Sequence, residues 1–192
     1  PAAAPDGYQI QFFPDPTVGD GKFNNNGWLQ ELPKPVTNLT WDNAAIVSPK
    51  TAVKLGVSNA PRWTAGERRR LEADVLELKV NGRSVTAGVF ILPGHADDAI
   101  TLHLGYGRSL VGNTGKGSGA NAYAIRTSTT LGFATGAAVA KTGAKMFLAC
   151  VQGQYLMEGR RPYRAATADQ FKADPDFAQV PAASPGEYKE IR

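Results

Sequence analysis

The segment from Leu102 to Arg126 has the composition of a phosphate-binding loop. It is rich in glycine, and glycine lets backbone N–H groups approach a pyrophosphate closely and form an anion-binding concavity. Arg108 can pair with a phosphate through two parallel hydrogen bonds, and Asn121 can bond the edge of a purine. Tyr106 offers a ring for stacking. The segment therefore fits a cradle for a nucleotide-bearing cofactor.

The same glycines also fit a purely structural role. Their spacing is irregular, and no strand-to-helix context of the Rossmann or P-loop kind surrounds them. Glycine and asparagine also serve sheet corners and long surface loops. A loop of this length in a compact domain usually either functions or docks against a neighbour. We favour docking onto another domain of the same complex.

The other reactive side chains do not form a catalytic or metal-binding motif. The chain has two histidines, His95 and His103, and one cysteine, Cys150. Cys150 lies in an apolar run, where a buried inert thiol is expected, and no CxxC spacing is present to hold an iron–sulfur cluster. No G-x-S-x-G motif occurs either. We therefore predict neither a catalytic residue nor a metal site in this chain.

Charge and hydropathy exclude two classes of partner. The 21 basic and 17 acidic residues give a net charge of +4, which is a mild bias. The longest run of consecutive basic residues, Arg68 to Arg70, lacks interleaved aromatic residues, so we predict no nucleic-acid binding. No stretch approaches the roughly 20 apolar residues of a membrane span. We predict no direct membrane span.

The elements that would position the glycine-rich segment are mostly short strands. Alternating or apolar runs, bounded by turn residues, are typical of strands. Asn81-Gly82 is a strong hairpin signal. Two strands with a glycine-containing turn are expected between Leu131 and Gln152. The other predicted strands are Tyr8–Phe13, Ala44–Val47, Val75–Val80, Arg83–Leu92, a strand in "AITLHLG" and a short one in "NAYAIRTS".

Helix signals are few and short. Ser48 caps a predicted helix at Pro49–Leu55, with proline at its first position and Gly56 past its end. Thr167 and Gln170 have capping-box spacing for a second helix. Thr64 and Glu67 have the same spacing and suggest a third. Because strands outnumber helices, the predicted class is mainly β, a β-barrel with short peripheral helices.

The composition divides the chain into a domain and two tails. Residues 1–7 and 179–192 are rich in Pro, Ala, Ser and Gly and are predicted to be linkers. Residues 8–178 are predicted to form one domain, cut from a larger subunit.

Five stretches occur in an ordered series along the chain: "NNNGWLQELPKPVTNLTWDNAAIVSPKTAVKLGV", "DVLELKVNGRSV", "ILPGHADDAITLHLGYGR", "GSGANAYAIRTS" and "MEGRRPY". Together they resemble the C-terminal domain of the molybdopterin oxidoreductase superfamily. The resemblance covers about Tyr8 to Ala178 and is closest to the large iron–sulfur subunit of alternative complex III, a quinol-oxidising respiratory complex.

The resemblance implies a fold and a candidate site. The fold is a double-psi β-barrel that holds part of the molybdopterin guanine dinucleotide. The contacts to the pterin and the guanine come from loops at one end of that barrel. By position, the matching cofactor-binding residues are Asn25, Asn26, Trp28, Gly105, Tyr106, Gly107, Arg108, Gly117, Gly119, Asn121 and Tyr123.

The resemblance also implies a partner class and a location. Subunits of the alternative complex III type share the fold but are generally held to lack the pterin. We therefore expect no cofactor in this domain, with iron–sulfur clusters outside this chain. The expected partners are other domains of the same subunit and the membrane and cytochrome subunits of the complex. The expected location is the periplasmic side of the inner membrane, reached by twin-arginine export.

The sequence departs from the family pattern at three places. Ala73-Asp74 stands where Gly-Asp usually opens the hairpin strand, and residues 58–73 form an insertion. "VQGQ" around Gln152 replaces a stretch that tends to carry a histidine, which argues against a redox site. The alternative hypothesis is a dinucleotide-binding domain of a true molybdenum oxidoreductase.

Overall fold

The computed structural model describes residues 7–64, 68–151 and 166–178. The protein is mainly β, with one mixed sheet and a few short helices. The strands are β1 (Tyr8–Phe13), β2 (Ala45–Val47), β3 (Asn59–Thr64), β4 (Arg68–Val80), β5 (Arg83–Ile91), β6 (Ala99–His103) and β7 (Phe133–Leu148). The α-helices are α1 (Gly27–Glu31), α2 (Pro49–Leu55) and α3 (Ala168–Ala173), and a 3-10 helix covers Ala122–Ala124.

The strongest local signals of the sequence are confirmed. Helix α2 has the predicted bounds because the Ser48 side chain accepts a hydrogen bond from the Thr51 N–H. Gly56 ends the helix in the left-handed conformation, with φ of 64°. The hairpin of β4 and β5 turns at Asn81 and Gly82, both with positive φ, as a two-residue hairpin loop requires. The capping box at Thr167 and Gln170 is formed in α3.

The sheet combines parallel and antiparallel pairs. The strand order is β3-β4-β5-β2-β6-β1-β7, and β4 also pairs with β7. The parallel pairs are β1 with β6 and β2 with β5, and every other pair is antiparallel. Among the described residues, β4 therefore has three neighbours, five strands have two each, and β3 pairs with β4 alone.

The core is formed by side chains of β1, β2, β4, β5, β6 and β7 and of the segments between them. Alternate residues of β4 from Leu76 to Val80 are buried, as the two-residue period of a strand dictates. In β6, Ala99, Ile100, Thr101 and Leu102 are all buried, so this strand is covered on both faces. The largest fully buried apolar side chains include Ile10, Leu39, Leu76, Leu78, Val89, Ile100, Leu102 and Ile125.

Three local predictions were wrong. The predicted strand at "NAYAIRTS" contains a 3-10 helix, because the Asn121 side chain caps it at the Tyr123 N–H. The two strands expected between Leu131 and Gln152 are one strand, β7, which runs through Gly136 and Gly143. The short helix suggested by Thr64 and Glu67 is replaced by β3 and β4, with Glu67 outside the described residues.

The chain divides into two compact units, residues 1–152 and 153–192. The first holds the whole sheet, α1 and α2. The second is described at residues 166–178 only, where Phe171 and Phe177 pack edge to face. Residues 1–6 of the linker predicted at 1–7, the linker predicted at 179–192 and the "MEGRRPY" stretch lie outside the described residues. The single domain at 8–178 stays a prediction.

Candidate functional site

Three segments that carry the predicted site residues lie against one another. We call residues 20–28, 105–108 and 117–123 the loop cluster. The Asn24 side-chain amide donates to the Gly105 carbonyl at 2.7 Å, and the Gly107 N–H donates to the Ser118 carbonyl at 2.7 Å. The Tyr123 hydroxyl donates to the Asp20 carbonyl at 2.9 Å. Long-range hydrogen bonds therefore join all three segments.

Asn43 fastens the loop cluster to the sheet, and sequence reasoning missed it. Its amide nitrogen donates to the carbonyls of His103 at 2.6 Å and Ala120 at 3.0 Å. Its amide oxygen accepts from the Ala120 N–H at 2.7 Å. Asn43 is buried, so these bonds satisfy backbone groups that water cannot reach. No local sequence signal identifies a residue whose partners lie 60 and 77 positions away.

Most of the glycines predicted to bind a cofactor lie where another segment of the chain passes too close to leave room for a side chain. A β-carbon on Gly105 would lie 2.9 Å from the Gly19 carbonyl oxygen and from the Gly21 nitrogen. A β-carbon on Gly107 would collide with the backbone of Asn121, and one on Gly119 would lie 2.7 Å from the Tyr106 β-carbon. All three also have positive φ. Of the four predicted glycines, Gly117 is the one that faces open space.

The predicted polar ligands are engaged within the chain. Arg108 donates from one guanidinium nitrogen to the Gly21 carbonyl at 2.6 Å. The Asn25 side-chain oxygen accepts from the Thr114 N–H, and the Asn26 oxygen caps α1 at the Leu29 N–H. The Asn121 oxygen caps the 3-10 helix. These bonds hold the loops together, and each uses only part of the hydrogen-bonding capacity of a side chain that is exposed to solvent.

Tyr106 belongs to a buried polar cluster. Its ring is fully buried, and its hydroxyl accepts a hydrogen bond at 2.7 Å from the Lys34 ammonium, which also lies over the ring. Lys34 lies 3.7 Å from Asp15, and both side chains are almost fully buried. In this conformation the Tyr106 ring offers no face for stacking. We call Asp15, Lys34, Asp42, His103 and Tyr106 the Lys34 cluster.

Burial is the largest cause of the pKa shifts of Lys34, Asp42, His103 and Tyr106. It raises the pKa of Asp42 to about 6, against the opposing effects of the Asn43 N–H and the Lys34 charge. Burial lowers the pKa of Lys34, although the Asp15 and Asp42 carboxylates oppose it. Burial also lowers the pKa of His103 and raises that of Tyr106. The cluster therefore favours the neutral form of several of its members.

The outward face of the loop cluster is partly apolar. Trp28 on α1 is 86% exposed, Leu110 just beyond Arg108 is 90% exposed, and Phe23 is about half exposed. The Lys22 ammonium lies 5.0 Å from the centroid of the Phe23 ring. A shallow depression here is lined by Lys22, Phe23, Asn25, Asn26, Gly27 and Trp28. This is the surface that the loop cluster presents to solvent.

The middle of the glycine-rich segment packs against the first segment of the cluster. Gly115 is buried, and a β-carbon there would meet the Asn24 side chain and lie 2.9 Å from its carbonyl oxygen. Gly112 similarly approaches the Asn25 side chain. The loop between Val111 and Gly119 is thus anchored at two glycines, with exposed residues between them.

The other reactive side chains have local partners. The ring of His95 contacts Thr101, and Asp97 accepts from Ser48 and pairs with Lys50. The Cys150 thiol donates to the Thr37 carbonyl, and burial raises its pKa. Within residues 7–64, 68–151 and 166–178, no group of three His, Cys, Asp or Glu side chains could hold a metal ion.

No protein-family model matches the sequence, and no curated protein matches it significantly. Among the described helices, none is both long and apolar enough to cross a membrane.

Proposed function

We propose that this chain is the double-psi β-barrel domain of a larger subunit that resembles the molybdopterin oxidoreductases. In this proposal the subunit carries iron–sulfur clusters elsewhere and belongs to a quinol-oxidising respiratory complex on the periplasmic side of the inner membrane. The domain holds no pterin. It serves as a docking module for other domains of its subunit and for neighbouring membrane and cytochrome subunits.

The pairing of the strands supports the fold in this proposal. Six strands each have at least two neighbours, and the pairing of β4 with β7 returns the order β4-β5-β2-β6-β1-β7 to its start. Closure into a barrel requires that each strand in the barrel has a partner on both sides, and these six strands meet that requirement. The two parallel pairs fit a barrel that is not a simple antiparallel meander.

One observation carries the docking role: the predicted ligand groups bond within the chain, while apolar side chains of the same region face solvent. Arg108 and Asn25 are engaged by carbonyl and amide groups, and Tyr106 is buried. Trp28 and Leu110 are almost fully exposed. Exposed apolar side chains of this size are typical of surfaces that bind a partner, and buried aromatic anchors such as tryptophan contribute strongly to interfaces.

The second candidate is a domain that binds molybdopterin guanine dinucleotide. As arranged, Tyr106 does not fit this group because it is buried, and one of the Arg108 guanidinium nitrogens is already bonded to Gly21. The observation that favours binding is Trp28, whose open ring lies in the depression that Lys22 also lines. An indole beside an ammonium suits a purine that carries phosphate.

A thermal shift experiment separates the two candidates. Because a ligand that binds only the folded state raises its stability, saturating dinucleotide must raise the melting temperature if it binds. We expect no shift with the dinucleotide or with GDP. A rise of several degrees would overturn the docking proposal and support the cofactor-binding alternative.

The docking surface is tested in the complete subunit. Trp28→Ser and Leu110→Ser are expected to reduce its co-purification with partner subunits at least tenfold, while the melting temperature of the chain stays unchanged. Val53→Ser, which alters an equally exposed side chain on α2, is the matched control. If all three variants assemble like the wild type, this surface is not the docking site.

A further inference from the structure

Four basic side chains lie on or beside the loop cluster, and we call them the basic group: Lys22, Arg108, Lys116 and Arg126. Lys22 lines the same depression as Trp28, and its ammonium lies 5.0 Å from the centroid of the Phe23 ring. Arg108 is exposed and donates to the carbonyl of Gly21, the residue before Lys22. These two cations therefore share one part of the surface with exposed aromatic side chains.

The other two members of the basic group are held near the same segment of the chain. Lys116 is exposed, and the glycine before it packs against Asn24. The Arg126 guanidinium lies 5.6 Å from the centroid of the Tyr123 ring, whose hydroxyl donates to the Asp20 carbonyl. All four cations thus lie close to the first segment of the loop cluster.

The basic group has no carboxylate partner in the part of the chain that the structure describes. Residues 99–157 contain no Asp or Glu, and the carboxylate of Asp20, the one acidic residue of the loop cluster, accepts from the Lys22 backbone N–H. Every other lysine of the first unit lies between 2.8 and 3.7 Å from a carboxylate oxygen. Those pairs are Lys34 with Asp15, Lys50 with Asp97, Lys54 with Asp98, Lys79 with Glu77, Lys141 with Asp74 and Lys145 with Glu72.

Unpaired cations beside exposed apolar side chains indicate the chemistry of the partner. Trp28 and Leu110, which the same loops carry, are almost fully exposed. A protein interface has an apolar centre and a polar rim, and charges on one partner meet opposite charges on the other. A partner that covers this surface therefore has to supply carboxylates.

We propose that the partner that docks at the loop cluster is a protein surface with Asp and Glu side chains around an apolar centre, and that these carboxylates pair with the basic group. The inference rests on the docking function and adds the chemistry of the partner to it. Arg108 keeps guanidinium donors for such a pair, because only one of its nitrogens is bonded to Gly21. The charge pairs speed the encounter, and the apolar contacts slow dissociation.

The form of the surface favours a protein partner over a bilayer or a nucleic acid. Asn25 and Asn26 line the depression beside Trp28, and side-chain amides suit hydrogen bonds at a protein interface better than insertion among acyl chains. Leu110 has no ring on which a base could stack. Anionic vesicles and an oligonucleotide nevertheless serve as probes in the test.

Carbodiimide cross-linking of the assembled complex tests the contact directly, because this reagent joins an amine to an adjacent carboxylate without a spacer. We expect mass spectrometry to find Lys22 and Lys116 joined to Asp or Glu of another domain or subunit. The internal product of Lys50 and Asp97, whose charged atoms lie 3.1 Å apart, is the positive control. Formation of the internal product alone would overturn the proposal.

Lys116→Glu tests the effect of charge on association, with Arg83→Glu as the matched control. Arg83 is also exposed and without a carboxylate partner among the described residues, and it opens β5 at the hairpin. At about 20 mM salt, Lys116→Glu is expected to slow association of the complete subunit with the other subunits roughly tenfold, and at about 0.5 M salt to leave it unchanged, because salt screens exposed charges. Equal association rates for the two variants at low salt would contradict the proposal.

These outcomes differ from a failure of the docking function. If Trp28→Ser prevents assembly while Lys116→Glu associates like the wild type, the loop cluster docks a partner that is not acidic. If neither variant affects assembly, the docking function itself fails at this surface. Binding of the chain to phosphatidylglycerol vesicles or to a single-stranded oligonucleotide, lost in Lys116→Glu, would overturn the assignment to a protein partner.

Discussion

At the scale of single residues, the glycines of this chain serve packing in one place and turn geometry in another. Gly119 and Gly117 lie two positions apart, and both have positive φ, of 64° and 78°. A β-carbon on Gly119 would lie 2.6 Å from the Asn43 side-chain oxygen, whereas one on Gly117 would meet nothing within 4 Å. Comparing alanine substitutions at Gly119 and Gly117 therefore distinguishes the cost of steric crowding from the cost of backbone strain.

We predict that Gly119→Ala destabilises the fold by about 2 kcal/mol more than Gly117→Ala does. Both variants incur the strain of alanine in the left-handed region, roughly 1–2 kcal/mol, but only the first overfills a packed site. Urea unfolding of the two variants beside the wild type gives the difference. Equal destabilisation would show that the Gly119 site has room for a methyl group.

The sequence indicates which side chains have the chemical groups that a binding site needs. It does not indicate which of these side chains are buried or bonded within the chain. Arg108 and Tyr106 have the right types for phosphate and ring contacts, and their neighbours Gly105 and Gly107 bond to Asn24 and Ser118. Their engagement within the chain could not be predicted, because it depends on partners such as Lys34, 72 positions away. A lysine between two prolines gives no local sign that it is buried.

At the scale of elements, the short helix α2 shows how much a cap contributes. Ser48 accepts from the Thr51 N–H and its hydroxyl also donates to Asp97. Ser48 and Thr51 are both buried, so no water can replace the Ser48 hydroxyl at the Thr51 N–H. Pro49 at the first position and Gly56 at the end complete the signal that made this helix predictable.

Ser48→Ala is expected to lower the free energy of unfolding by about 1–2 kcal/mol, because the first turn of α2 loses its cap. Guanidinium unfolding monitored by circular dichroism measures the loss. Ser109→Ala, at an exposed loop serine, serves as the control and should change the stability by less than about 0.5 kcal/mol. A Ser48 variant as stable as this control would mean that another group caps the helix.

Strand β7 shows why other elements were harder to predict. Gly136 and Gly143 have positive φ, and in the sequence they read as turn residues. In the fold, β7 pairs with both β1 and β4, and the pairings shift register between Tyr8 and Ile10 and between Asp74 and Leu76. Long-range pairing thus overrides the local turn preference of glycine.

At the scale of the whole molecule, the buried titratable groups make stability depend on pH. His103 has a pKa lowered by burial, so the unfolded chain binds a proton that the folded chain resists. Its contribution to stability is therefore complete above the unfolded pKa, near 6.5, and declines as the pH falls below it.

We predict that the free energy of unfolding of His103→Gln falls less steeply than that of the wild type as the pH decreases. Relative to the wild type, the variant gains stability as the pH falls from about 7 to 5, because it has no imidazole to charge on unfolding. Chemical unfolding at several pH values provides the comparison, with His95→Gln as the control for loss of a histidine elsewhere. A constant difference between His103→Gln and the wild type at every pH would contradict the prediction.

The parallel pairing of β1 with β6 has a consequence for synthesis. Gln9 lies opposite Ala99, so β1 must wait until 90 further residues have been made before its partner exists. At ribosomal rates this delay is roughly 5 to 20 s, and during it Ile10 and Phe12 have no core to enter. The nascent chain therefore carries an unpaired apolar segment throughout this delay.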